Sequence, residues 1–158
     1  MDVFAHAFWT YAIFHKKRYR WPATLFGVLP DIISFGPFFL YMIITRTPFN
    51  RNSEAIPDYI YQSYNITHSL LIFSVTVLVF YLIIRSIPWP LLAWGIHIII
   101  DIPTHTREFF PTPILWPISD INVSGISWGT PWFMIVNYSA LVIVYGIIIY
   151  KYKKRNKN

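Results

Sequence analysis

The chain has 158 residues, of which 55% are apolar, 20% aromatic and only 13% charged, and its mean hydropathy is +0.45. A soluble domain usually carries about a quarter charged residues, and disordered or collagen-like chains need low apolar content or a glycine repeat, so the composition is that of a membrane protein. Thirteen Lys and Arg against seven Asp and Glu leave a net charge of +6, and the absence of cysteine excludes disulfides and thiolate metal sites. The length fits one domain, residues 1–158.

The first apolar segment, Val3 to Phe14, is followed at once by Lys16-Lys17-Arg18-Tyr19-Arg20. A cleavable signal carries its charge before the apolar stretch, and a bilayer crossing needs roughly 20 residues. This segment is therefore expected to be a partly inserted or protein-packed helix. The second runs from Trp21 to Ile44 and contains Gly27, Pro30 and Gly36-Pro37, which predict a broken helix set against protein or a water-filled cavity. Thr45 to Thr67 reads as a polar loop. Ser69 to Ile84 is a clean apolar segment ended by Arg85, and Pro88-Trp89-Pro90 turns into a fourth, Leu91 to Ile102. A Pro-, Thr-, Ser- and Trp-rich connection spans Pro103 to Pro131. The fifth segment, Trp132 to Tyr150, ends in Lys151, Lys153, Lys154, Arg155 and Lys157.

The basic runs after segments one and five read as cytoplasmic under the positive-inside rule. Alternation then puts Arg85 inside as well, the loops at 45–67 and 103–131 outside, and the C-terminus in the cytoplasm of a multi-pass protein of the cell (inner) membrane. Each basic run ends an apolar segment, which argues against nucleic acid as the partner and for the lipid bilayer. No phosphate-cradling glycine loop and no Gly-x-Ser-x-Gly elbow is present.

Ionisable residues inside such segments are expensive, on the order of 3 kcal/mol or more at mid-depth. His97 and Asp101 share one helical face at a spacing of four, and His105 follows four later beyond Pro103, which is expected to end or kink the helix. His6 lies in segment one, Asp31 follows Pro30, and His68 opens segment three. Taken singly, each has a plainer reading: a packed histidine for His6, a helix cap for Asp31, a hydrogen-bonded buried pair for His97 and Asp101. Asp2 is either a ligand or close neighbour of the site, or solvated. Together, four histidines and two carboxylates from four segments suit Zn²⁺, or Mn²⁺ and Fe²⁺ in mixed imidazole–carboxylate sites, with enough ligands for one or two ions.

The order His6-Ala-Phe-Trp, Gly27-Val-Leu-Pro30-Asp31, Thr67-His68-Ser69, His97-Ile-Ile-Ile-Asp101-Ile-Pro-Thr104-His105 and Trp116-Pro117 resembles a bacterial and archaeal family of membrane-bound metal-dependent hydrolases, some regulated by the SOS repressor. The resemblance covers residues 1–117 and implies that His6, Asp31, His68, His97 and Asp101 are metal ligands. The chain departs from the family at Ile33, where many members carry a second Asp, and at Ser63, where many carry a His. The run from His97 to His105 is also similar, more loosely, to the metal-binding helix of zinc-dependent phospholipase C.

The expected fold is an all-α polytopic bundle of four to five membrane-embedded helices around a polar site near the outer surface. The expected function is metal-dependent hydrolysis of a phosphoester on a lipid or membrane-proximal substrate. In it His6, Asp31, His68, His97, Asp101 and His105 hold metal, most simply zinc, and Asp101 or Glu108 takes the water proton. The alternative is a non-catalytic membrane protein that binds, senses or passes a divalent cation.

Overall fold

The computed structural model describes residues 1–46 and 56–156. It is helical, with no strand among the described residues: α1 is Val3–Phe14, α2 Arg20–Thr45, α3 Asp58–Thr67, α4 Leu70–Ile84, α5 Leu92–Thr104 and α6 Pro131–Arg155, with a 3₁₀ turn at Trp89–Leu91 leading into α5. Asp2 caps α1 by accepting from the Ala5 N–H at 3.0 Å. Ser69 caps α4, and Pro131 opens α6, where its missing N–H costs no hydrogen bond.

Two helices, α2 and α6, are long and apolar enough to cross a membrane, and α3 with α4 forms a third candidate bent by 54°. The broken helix is thus not the one expected from Pro30 and Pro37. α2 runs without interruption through both prolines, because a proline removes one backbone bond and bends a helix without having to end it. Gly27 also lets α1 approach so closely that a Cβ there would lie 2.3 Å from Thr10 Oγ1. The break falls instead at His68–Ser69, between α3 and α4. Two further corrections concern boundaries. The segment read as a polar loop contains α3 over Asp58–Thr67, and α5 continues past Pro103 to Thr104. The expected polar residues Arg51 and Glu54 of that loop lie outside the described residues.

The interior holds ionisable groups beside apolar residues such as Ile60 and Ile98, while much of the surface is apolar. His6, Asp31, His68, His97 and Asp101 are all buried, while Leu78, Ile83, Ile135 and Val142 are more than half exposed, and α4 buries none of its residues. This inversion of the soluble pattern is what a lipid surround stabilises. α1 and α6 run parallel: the Tyr138 hydroxyl donates to Asp2 Oδ1 at 2.8 Å near their starts, and Tyr145 donates to the Phe8 carbonyl at 3.0 Å further along. Their basic ends, Lys16–Arg20 and Lys151–Arg155, therefore share one end of the bundle. The long connection after α5 is pinned back onto that helix. The Gly125 N–H donates to the His105 carbonyl at 2.7 Å, and the Trp128 N–H to the Thr104 carbonyl at 3.0 Å.

Candidate metal centre

Four helices deliver the polar residues. α1 brings His6, α2 Asp31, the α3–α4 corner His68, and the last turns of α5 His97 and Asp101, with His105 as its C-cap. Asp101 is the hub. Its Oδ2 lies 3.2 Å from His97 Nε2 and 3.6 Å from His68 Nε2, while its Oδ1 lies 2.9 Å from His6 Nε2 and 3.5 Å from His105 Nε2. Asp31 Oδ1 completes the Oδ2 side, 3.4 Å from His68 Nε2 and 3.8 Å from His97 Nε2. The Met1 amine meets Asp101 Oδ1 and stands 3.0 Å from His105 Nε2.

The donor set fits a small divalent cation. Asp31, His68, His97 and Asp101 each offer one ligand atom, all within 4.8 Å of one another. A tetrahedron with metal–ligand bonds of about 2.0–2.2 Å has edges of about 3.3–3.6 Å. The His–His and His–carboxylate separations around this group run from 3.0 Å, between the His68 and His97 Nε2 atoms, to 3.8 Å, and the two carboxylates stand within 4.8 Å of each other. Asp31 Oδ2 and Asp101 Oδ2 are buried with no hydrogen-bond partner among the described residues, an arrangement costly for a carboxylate unless a cation faces it.

The histidines are oriented from behind. His97 Nδ1 donates to the Gly27 carbonyl at 2.8 Å, His105 Nδ1 to the Phe110 carbonyl at 2.7 Å and His68 Nδ1 to the Tyr64 carbonyl at 3.2 Å. A carbonyl accepts only, so each Nδ1 carries the proton and each Nε2 turns a lone pair towards the centre, the tautomer a metal ligand needs. Two such lone pairs 3.0 Å apart, on His68 and His97, repel unless a cation lies between or beside them. His6 differs. Its ring stacks on His97 with centroids 3.7 Å apart, and its Nδ1 is buried without a partner among the described residues.

Phe110 adopts φ 49°, a left-handed backbone that costs a bulky residue about 1–3 kcal/mol. That conformation presents its carbonyl to His105 and also to the Tyr64 hydroxyl, which donates at 2.9 Å.

All six metal-ligand candidates read from the sequence meet in this cluster, four of them in the compact group and His6 and His105 on the other oxygen of Asp101. Glu108 does not join it. It is fully exposed in a turn where Thr106 and Phe109 form an isolated bridge, and the Thr106 hydroxyl holds its carboxyl below the usual range. Asp2 serves as the α1 cap. Residues that sequence reading passed over carry much of the support. The Tyr64 ring stacks on His68 with centroids 3.9 Å apart, and Thr67 Oγ1 lies 2.9 Å from His68 Nδ1 and 2.7 Å from Ser34 Oγ. Tyr64 stands one helical turn before His68, the one signal that pointed to it. Compared with protein-family models, curated proteins and solved structures, the chain matches none.

Proposed function

We propose that this protein is a membrane-embedded, divalent-metal-dependent hydrolase acting on a phosphoester of a lipid or membrane-proximal substrate, in line with its resemblance to membrane-bound metal-dependent hydrolases. The observation that carries the metal part is the near-tetrahedral spacing of four buried ligand atoms whose imidazoles are held by Nδ1–H bonds to backbone carbonyls. Zinc suits this set of two imidazoles and two carboxylates. Such an ion supplies Lewis-acid polarisation of a phosphoryl oxygen and lowers the pKa of water towards about 7.

The chain's own residues do the rest. His68, His97, Asp31 and Asp101 fix the charge and shape of the pocket floor. Asp101 Oδ1, shared with His6 and His105, is the carboxylate oxygen turned away from the compact group, and in this reading it accepts the water proton. His6 and His105 then offer a second set of donors, for substrate or for a second ion. Residues 16–20, Arg85 and 151–156 lie at helix ends leading away from the cluster, which supports a site on the extracytoplasmic side. The bent α3–α4 pair and the short α1 and α5 complete a bundle of four to five embedded helices.

One observation favours the non-catalytic reading. Four protein ligands close a tetrahedral site, and closed sites are structural, whereas catalytic zinc keeps a position for water. Cobalt substitution separates the two, combined with metal analysis of purified protein and a phosphodiesterase and phospholipid hydrolysis screen. Stoichiometric metal with a five-coordinate cobalt spectrum and turnover lost in Asp101→Asn supports the hydrolase. Stoichiometric metal with a closed tetrahedral spectrum and no turnover establishes the cation-binding alternative. Protein that purifies and refolds without retaining any divalent metal overturns both.

A further inference from the structure

A cavity of about 320 Å³ adjoins the metal centre. Phe35, Phe38, Phe39, Ile56, Phe109 and Phe110 form an apolar side of its wall. Asp31 and His105 are the cluster residues that also line it, one from each side of the Asp101 hub, and Asp2 is the one further ionisable side chain among its described lining residues. The volume is at the low end of the roughly 300–1,000 Å³ usual for small-molecule sites, which commonly pair an apolar wall with a few convergent polar groups.

The polar and apolar parts are separated here, and that decides the ligand class. A small hydrophilic phosphoester would leave a wall of phenyl rings uncovered, whereas a wholly apolar ligand would leave Asp31 and His105 against hydrocarbon. Only an amphiphile satisfies both. The source of that amphiphile is set by α2, which supplies Phe35, Phe38 and Phe39 to the wall. The same helix presents Leu40, Ile43 and Ile44, each more than half exposed, as an apolar surface of a candidate membrane span. A chain leaving the bilayer along α2 therefore reaches the cavity without crossing water.

We infer that this cavity is the seat of one acyl chain of a bilayer phospholipid whose headgroup phosphate is presented to the Asp31–His68–His97–Asp101 centre. This rests on the hydrolase reading for what happens to the phosphate, and it stands on the cavity alone for where the chain goes.

The test uses the full chain in nanodiscs doped with phosphatidylglycerol carrying a diazirine near the end of one acyl chain, followed by peptide mapping after illumination. Label is expected on the peptides bearing Phe35–Phe39 and Phe109–Phe110, above that on the outward α6 residues Val142 and Ile143. Val3→Trp and Ile56→Trp, at two points of the wall outside those peptides, should each lower cavity labelling by about tenfold, the loss expected when roughly two methylenes are kept out, with α6 labelling unchanged. A probe with the diazirine beside the glycerol, which needs no variant, should move the label towards the Met1–Phe4 peptide and His105. Cavity labelling no greater than that of α6, or insensitive to both variants and to diazirine position, overturns the inference. Metal content measured on the same samples keeps the two readings apart. Bound metal with an unlabelled cavity removes the acyl-chain site and leaves the hydrolase reading standing. A labelled cavity in protein that holds no metal does the reverse.

Discussion

His97 makes a different use of each ring nitrogen. Nδ1 gives its proton to the Gly27 carbonyl, while Nε2 faces His68, Asp31 and Asp101. Two outcomes of replacing the residue follow from two accounts of that geometry. If His97 and Asp101 only satisfied each other, His97→Leu or Asp101→Leu alone would cost about 3–5 kcal/mol by stranding a buried partner, and the double change would recover most of it. If both hold metal, either single change and the double change should empty the site alike, since members of one unit are non-additive. The expected result is the second, read as metal per protein after gel filtration. A double variant retaining one bound ion would falsify it. These two residues were legible from spacing alone, because four residues on a helix is a physical adjacency. The Nδ1 anchors were not, since backbone carbonyls carry no signature in the sequence and Phe110 gives no hint of its positive φ.

Among the elements, the connection from His105 to Thr130 depends on one close approach. A Cβ on Gly125 would lie 2.1 Å from the Pro103 carbonyl oxygen, a backbone atom that cannot swing aside. Gly125→Ala should therefore break the Gly125–His105 and Ile126–Pro103 backbone bonds, 2.7 and 2.9 Å long, and destabilise the fold by about 1–3 kcal/mol. Chemical denaturation in detergent measures the loss, and the same change on Gly146, whose Cβ would meet nothing within 4 Å, should cost far less. The existence of α1, α2, α4, α5 and α6 was readable from apolar run lengths. α3 was not, because Tyr61, Tyr64 and Asn65 scatter polarity through a segment whose buried face is only Ile60, Tyr64 and Thr67. Pro30 misled for a related reason. A proline reports a lost hydrogen bond, whereas the packing of α1 and α5 against α2 decides whether the helix survives it.

At the scale of the molecule, charge and topology give one arrangement that can be tested directly. The chain has no cysteine, so single cysteines report cleanly. Asn122 lies in the exposed connection before α6 and Asn156 just after it. Asn122→Cys should react with an impermeant maleimide added outside intact cells, and Asn156→Cys only after the membrane is opened. Equal reactivity of both from one side would remove α6 as a crossing and with it the assigned orientation.

The short helices have a mechanical consequence for the surrounding lipid. At 1.5 Å per residue α1 is about 18 Å long and α5 about 20 Å, against about 39 Å for α2. Asp31 lies about 17 Å along α2 from its basic end, which is beyond the middle of a hydrocarbon core about 30 Å thick if that core begins there. If α2 and α6 cross a bilayer, α1 and α5, packed against them, reach only part of the way, and lipid beside the short helices would have to thin or tilt its chains to meet them. Hydrophobic mismatch of this kind would bring headgroups down towards the buried carboxylates. Reconstitution in lipids of decreasing acyl length should raise thermal stability until α2 begins to protrude, and then lower it. A protein shaped in this way would draw the membrane surface towards its own interior.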